Sequence, residues 1–127
     1  MSRVGCAPWH DDLAVNWLEP LIAETELPQR IEEMLRHEVQ DVSLPGIRAA
    51  SCLLILLGDE MIWPTDDLDN LLCLAIEKLS LCVELERDEK CKSILEKEVG
   101  MLGLMRDKTV FSQRVEPICE LWRSWLS

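Results

Sequence analysis

The chain has 127 residues, 48% of them hydrophobic and 29% charged, and a formal net charge of −11. That length and balance describe one folded domain able to bury a core without metal or disulfide help, and they exclude a disordered segment. The acidic surplus opposes nucleic-acid binding, because affinity for phosphate comes from Lys and Arg displacing counterions. The charge is also uneven: residues 1–64 hold 11 acidic and 4 basic side chains, residues 65–127 hold 13 and 9. A partner attracted electrostatically is therefore basic and favours the first half.

With 5 Gly, one Phe and no Tyr among many Leu and Glu, the composition favours helix, since unbranched side chains lose little rotamer freedom there. The opening MSRVGCAPWHDDL contains no apolar signal core, so residues 1–10 are expected to be a flexible N-terminus and residues 11–127 one helical domain. Asp11 is expected to cap a first helix carrying Leu13, Trp17, Leu18, Leu21 and Ile22, kinked or restarted at Pro20. Pro28 suits the first position of a second helix with Ile31, Met34, Leu35 and Val39 on one stripe.

Ser43 is expected to cap a third helix that Gly58 stops. Only ten uncharged residues separate Arg48 from Asp59, about half the ~20 a membrane span needs, so the run SLPGIRAASCLLILLG reads as a buried helix. Thr65 opens a fourth, with Leu68, Leu71, Leu72, Ala75, Ile76, Leu79, Cys82 and Val83 on one face and Leu74, Leu81 and Leu85 on another. Two apolar stripes imply neighbours on two sides, which makes this helix central. Asp88 caps a fifth that weakens or bends at Gly100 and Gly103, where GMLGLM reads as a helix end or a close helix contact. The last starts near Asp107, contains Pro117, and carries Val110, Phe111, Val115, Ile118, Leu121, Trp122 and Trp125 on its apolar half.

The expected fold is all-α: about six helices in three antiparallel hairpins, as a solenoid fragment or a compact bundle. LEPLIAE at Leu18–Glu24 is echoed by VEPICEL at Val115–Leu121. Residues 47–58, IRAASCLLILLG, resemble the second helix of a HEAT repeat, with Ile47, Arg48, Ala49, Ala50, Leu53 and Leu56 in its usual roles and Asp41 near its aspartate. Pro20 and Pro117 resemble the kinking prolines of that family's first helices. The resemblance implies a scaffold that binds other proteins.

Motifs for catalysis or cofactors do not emerge. Cys6 and His10 are spaced as two metal ligands, but a structural zinc site needs four and the other histidine, His37, lies in a helix. A Cys–His catalytic pair lacks an identifiable oxyanion element. Adjacent carboxylates such as Glu32 with Glu33 point apart on a helix. The six cysteines include Cys73, Cys82 and Cys119 in apolar helical runs, where thiols pack as small hydrophobes in a reduced, intracellular protein.

The expectation is thus a non-enzymatic interaction scaffold or adaptor without cofactor or metal, binding a helix or peptide of a protein partner, and neither nucleic acid nor membrane. A self-associating adaptor, dimerising through its last helix, is the alternative; a metal- or Cys-dependent enzyme using Cys6 and His10 is a third. Candidate contact residues are Ile118, Leu121, Trp122 and Trp125 in the last helix, and Trp63 in the connection before the fourth. Trp122 and Trp125 either pack inward against Leu95 and Leu102 or form the docking surface.

Overall fold

The computed structural model describes residues 12–127, so the expectations for residues 1–10, including Cys6, His10 and the N-terminal flexibility, and for the Asp11 cap, lie outside the described residues. Among the described residues 76% are helical and none lies in a strand. The elements are α1 (Asp12–Glu24), α2 (Leu27–Leu35), α3 (Leu44–Leu57), α4 (Leu68–Leu85), α5 (Glu89–Arg106) and α6 (Phe111–Leu126).

Helix ends follow local chemistry, with three departures from expectation. Pro20 lies inside α1, which continues through it to Glu24, so no restart occurs there. Ser43 precedes α3 but caps nothing: its hydroxyl donates to the Glu38 carbonyl at 2.5 Å and accepts from the Gln40 amide at 2.9 Å. Thr65 lies before α4, which begins at Leu68 after a turn closed by a hydrogen bond from the Thr65 hydroxyl to the Asp67 carboxylate. Asp107 belongs to the end of α5, where Lys108 turns left-handed at φ 54° and Thr109 donates to the Leu104 carbonyl at 3.1 Å, so α6 starts only at Phe111. Asp88 does cap α5, accepting from the Cys91 amide at 3.0 Å.

Gly58 ends α3 at φ −80°, a conformation open to any residue. Its requirement is space: a Cβ there would sit 2.5 Å from the Leu54 carbonyl oxygen. Gly100 and Gly103 behave oppositely. Helix α5 continues past both to Arg106, and a Cβ at either would meet nothing within 4 Å. The run GMLGLM is neither a helix end nor a close contact.

Helix α4 touches α2, α3 and α5, but α3 and α5 each touch three helices too, so the expected centrality is shared. The first face of α4 is buried at Leu68, Leu71, Leu72, Ala75, Leu79 and Cys82. The second is only partly used: Leu74 packs against the core, while Leu81 and Leu85 remain exposed. From α3 come Ile47, Ala50, Leu54 and Ile55, from α5 Leu95, Met101, Leu102 and Met105, and from α6 Leu121. Removal of this surface from water is the main favourable term in folding. Cys82 packs in this core as expected, whereas Cys73 and Cys119 are exposed and have no packing role. Among the described helices, α1 packs against α2 alone.

Candidate functional site

A charged residue in an apolar helix must find a partner, because an isolated buried charge costs several kcal/mol. Arg48 is the lone charge between Ser43 and Gly58. Its partner is Glu98, on the inward stripe of α5 that also carries Leu95, Met101, Leu102 and Met105. The Glu98 side chain is 0% exposed. Arg48 Nε lies 3.1 Å from each carboxylate oxygen, and a second guanidinium nitrogen donates to Oε2 at 2.7 Å. This fork is the strong, directional form of ion pair.

The same Oε2 accepts from Trp125 Nε1 at 2.8 Å. One carboxylate therefore ties α3, α5 and α6 together. Cys52, one turn after Arg48, shares the environment: burial first, then the negative charge of Glu98, pushes its thiol up to about 12. Hydrogen bonding to Glu98 raises the Arg48 guanidinium above its ordinary value, against the opposing effect of burial. The Cys52 thiol beside this ion pair and indole therefore stays protonated at neutral pH.

Beyond this cluster the same three helices part. Ile55 lies two turns past Arg48 on α3, Met101 and Met105 one and two turns past Glu98 on α5, and Ile118 and Trp122 on α6. Together with Leu56 they line an apolar groove of about 280 Å³, with Arg114 and Asp59 toward one end. That volume is just below the ~300–1,000 Å³ of ordinary ligand pockets, room for one aromatic anchor or a few aliphatic side chains. Trp122 joins groove to cluster: its ring meets Trp125 edge to face, centroids 5.1 Å apart and planes at 79°.

The polar end is sparsely committed. Arg114 Nε donates to the Thr109 carbonyl at 2.7 Å, and no carboxylate lies within ion-pair distance of its guanidinium among the described residues. One Asp59 carboxylate oxygen accepts from the Met61 amide at 2.8 Å. Nearby, Lys108 reaches Glu60 at 3.2 Å and Asp69 at 3.9 Å.

The five candidate contact residues separate. Trp122 is 45% exposed and lines the groove. Ile118 is half-buried and lines it as well. Trp125 is half-buried against the core, with its N–H bound to Glu98, and stands behind the groove wall. Leu121 is fully buried, so it supports the wall and offers no surface. Trp63 is buried too, covering the core where the chain passes from α3 to α4, and its Nε1 has no hydrogen-bond partner among the described residues. Both Leu121 and Trp63 lack the accessible area that a contact residue needs.

His37 closes the end of α2, where its Nδ1 donates to the Glu33 carbonyl at 3.0 Å. No group of three or more His, Cys, Asp or Glu side chains able to hold a metal occurs among the described residues. No helix there is long and apolar enough to cross a membrane. Comparison with protein-family models, with curated proteins and with solved structures gave no match.

Proposed function

We propose that this chain is a non-enzymatic protein-interaction domain, a small scaffold or adaptor, whose α3–α5–α6 groove receives the apolar face of a helix. The observation that carries the reading is the combination of half-exposed Trp122 and Leu56 over a methionine-lined floor, with Arg114 at the rim. Large aromatics are the commonest energetic anchors of protein interfaces, and methionine-lined surfaces repack around varied side chains. A HEAT-like role agrees with it, since the helix that resembles that family supplies one wall. An intracellular setting belongs to the same proposal and accords with the thiol of Cys82, packed in the core.

A reactive role for the buried cluster is disfavoured by its chemistry. Both Glu98 oxygens are engaged, and the Cys52 thiol stays protonated far above neutral pH, whereas nucleophilic cysteines need a lowered value.

The test is partner capture by Trp122→Glu. Proteins retained from cell extract by the wild type should be lost by the variant, with melting temperature nearly unchanged because the ring is half in water. Equal capture by a folded Trp122→Glu variant contradicts the proposal.

A further inference from the structure

The exposed faces at the two ends of the chain match. Helix α1 packs on α2 alone, touching neither α3, α5 nor α6, so it does not fill this chain's own groove. It nevertheless presents Trp17, 68% exposed, and Leu21, 43% exposed, one turn apart. Leaving an indole and a leucine together in water on one helix face is unfavourable, and such patches mark contact surfaces. Glu24, exposed and seven residues after Trp17, falls on the same face one turn beyond Leu21.

The groove carries apolar side chains around Trp122 and, among its charged lining residues, Asp59 and an Arg114 with no carboxylate within ion-pair distance among the described residues. The spans agree as well. At 1.5 Å per residue, Trp17 to Glu24 covers about 10 Å and Trp122 to Arg114 about 12 Å along their helices. Seating Trp17 beside Trp122 therefore brings Glu24 to Arg114. The stretch from Asp12 to Glu26 holds four acidic residues and no basic one, so Arg114 is the groove residue whose charge it complements.

Accepting the groove as a helix-binding site, we infer that its occupant is α1 of a second copy of this chain, held by Trp17 and Leu21 and registered by a Glu24–Arg114 ion pair. The surfaces are different on the two copies, so the contact is heterologous. Each copy keeps a free α1 at one end and a free groove at the other, and assembly extends head to tail unless the rotation closes a ring. A single helix in a single groove falls in the small, transient interface class. Repulsion between copies of charge −11 is confined to about 8 Å at physiological salt.

Sedimentation velocity of the full chain, from about 10 µM to about 1 mM in physiological salt, spans the affinities such an interface supports. The weight-average mass should climb well above that of the monomer as concentration rises. Trp17→Ala, Glu24→Arg and Arg114→Glu should each weaken association at least about tenfold, as loss of an anchor or reversal of a charge does at an interface. Trp17 and Glu24 are exposed, so melting of their variants should hardly change, whereas Arg114→Glu also loses the hydrogen bond to the Thr109 carbonyl and its melting is followed alongside. The double variant Glu24→Arg/Arg114→Glu restores opposite charges and should recover most of the association. A chain monomeric throughout, insensitivity to Trp17→Ala, or no rescue by the double variant would overturn the inference. The groove proposal falls separately: a monomeric chain whose extract partners still depend on Trp122 removes α1 as occupant and leaves the groove standing, whereas loss of that dependence removes both.

Discussion

Glu98 sits in a stripe of leucines and methionines and is wholly enclosed, so its charge is tolerable only because Arg48 and Trp125 surround it. Buried ion pairs of this kind contribute little net stability, since desolvation offsets the attraction, yet breaking one strands a charge. Arg48→Met should therefore cost about 3–5 kcal/mol in urea unfolding. Adding Glu98→Met should return most of that loss, because the orphaned carboxylate is gone. Additive losses in the two variants would mean that the pair is not coupled. The worth of the triad lies in specificity: one carboxylate fixes how three helices meet, and that meeting shapes the groove wall one turn away. Trp125 and Trp122, three residues apart, divide the labour between holding the wall and facing the groove.

At the level of the helices, α5 contains a misleading signal. Two glycines three apart suggest a bend or a close approach, but Gly100 is exposed, helical and free of neighbours. Gly100→Ala should thus stabilise the protein by about 0.5–1 kcal/mol, the usual entropic difference inside a helix. A loss of stability in thermal denaturation would show that the site is crowded. The helices themselves were legible because period-3.6 stripes mark inward faces: the Leu68–Cys82 face of α4 is the core as read. Boundaries were less so. Thr65, Asp107 and Ser43 are good caps in isolation, but each is used by a turn that tertiary packing prefers.

The site was half legible. The exposed indole of Trp122 lay within the aromatic cluster that the sequence marks out, whereas the partition between Trp122 and Trp125 depends on Glu98. A carboxylate on the apolar stripe of α5 and a lone arginine in α3 were the available signals, but pairing two residues fifty positions apart requires the packing of the helices. Leu121 and Trp63 are inside for the general reason that large apolar groups go where room exists, which no local pattern specifies.

For the molecule as a whole, the buried cluster also contributes to stability at alkaline pH. The Cys52 thiol ionises near its ordinary value of 9.0 when unfolded and at about 12 when folded. The folded state therefore holds an extra proton in that window. Stability from this group is complete below pH 9 and falls away as pH rises toward 12. The melting temperature of the wild type should drop more steeply above pH 9 than that of Cys52→Ala; parallel curves would mean that the thiol is solvated.

The Arg48–Glu98–Trp125 knot behind an accessible Trp122 is the feature on which groove, proposed function and assembly all depend. Solvent exchange of the assigned tryptophan indole protons, followed by nuclear magnetic resonance, tests it most directly. The Trp125 Nε1 proton, bonded to an enclosed carboxylate, should exchange orders of magnitude more slowly than that of half-exposed Trp122, because its release requires the three helices to open. Equal and rapid exchange at the two indoles would contradict the knot and, with it, the groove it shapes.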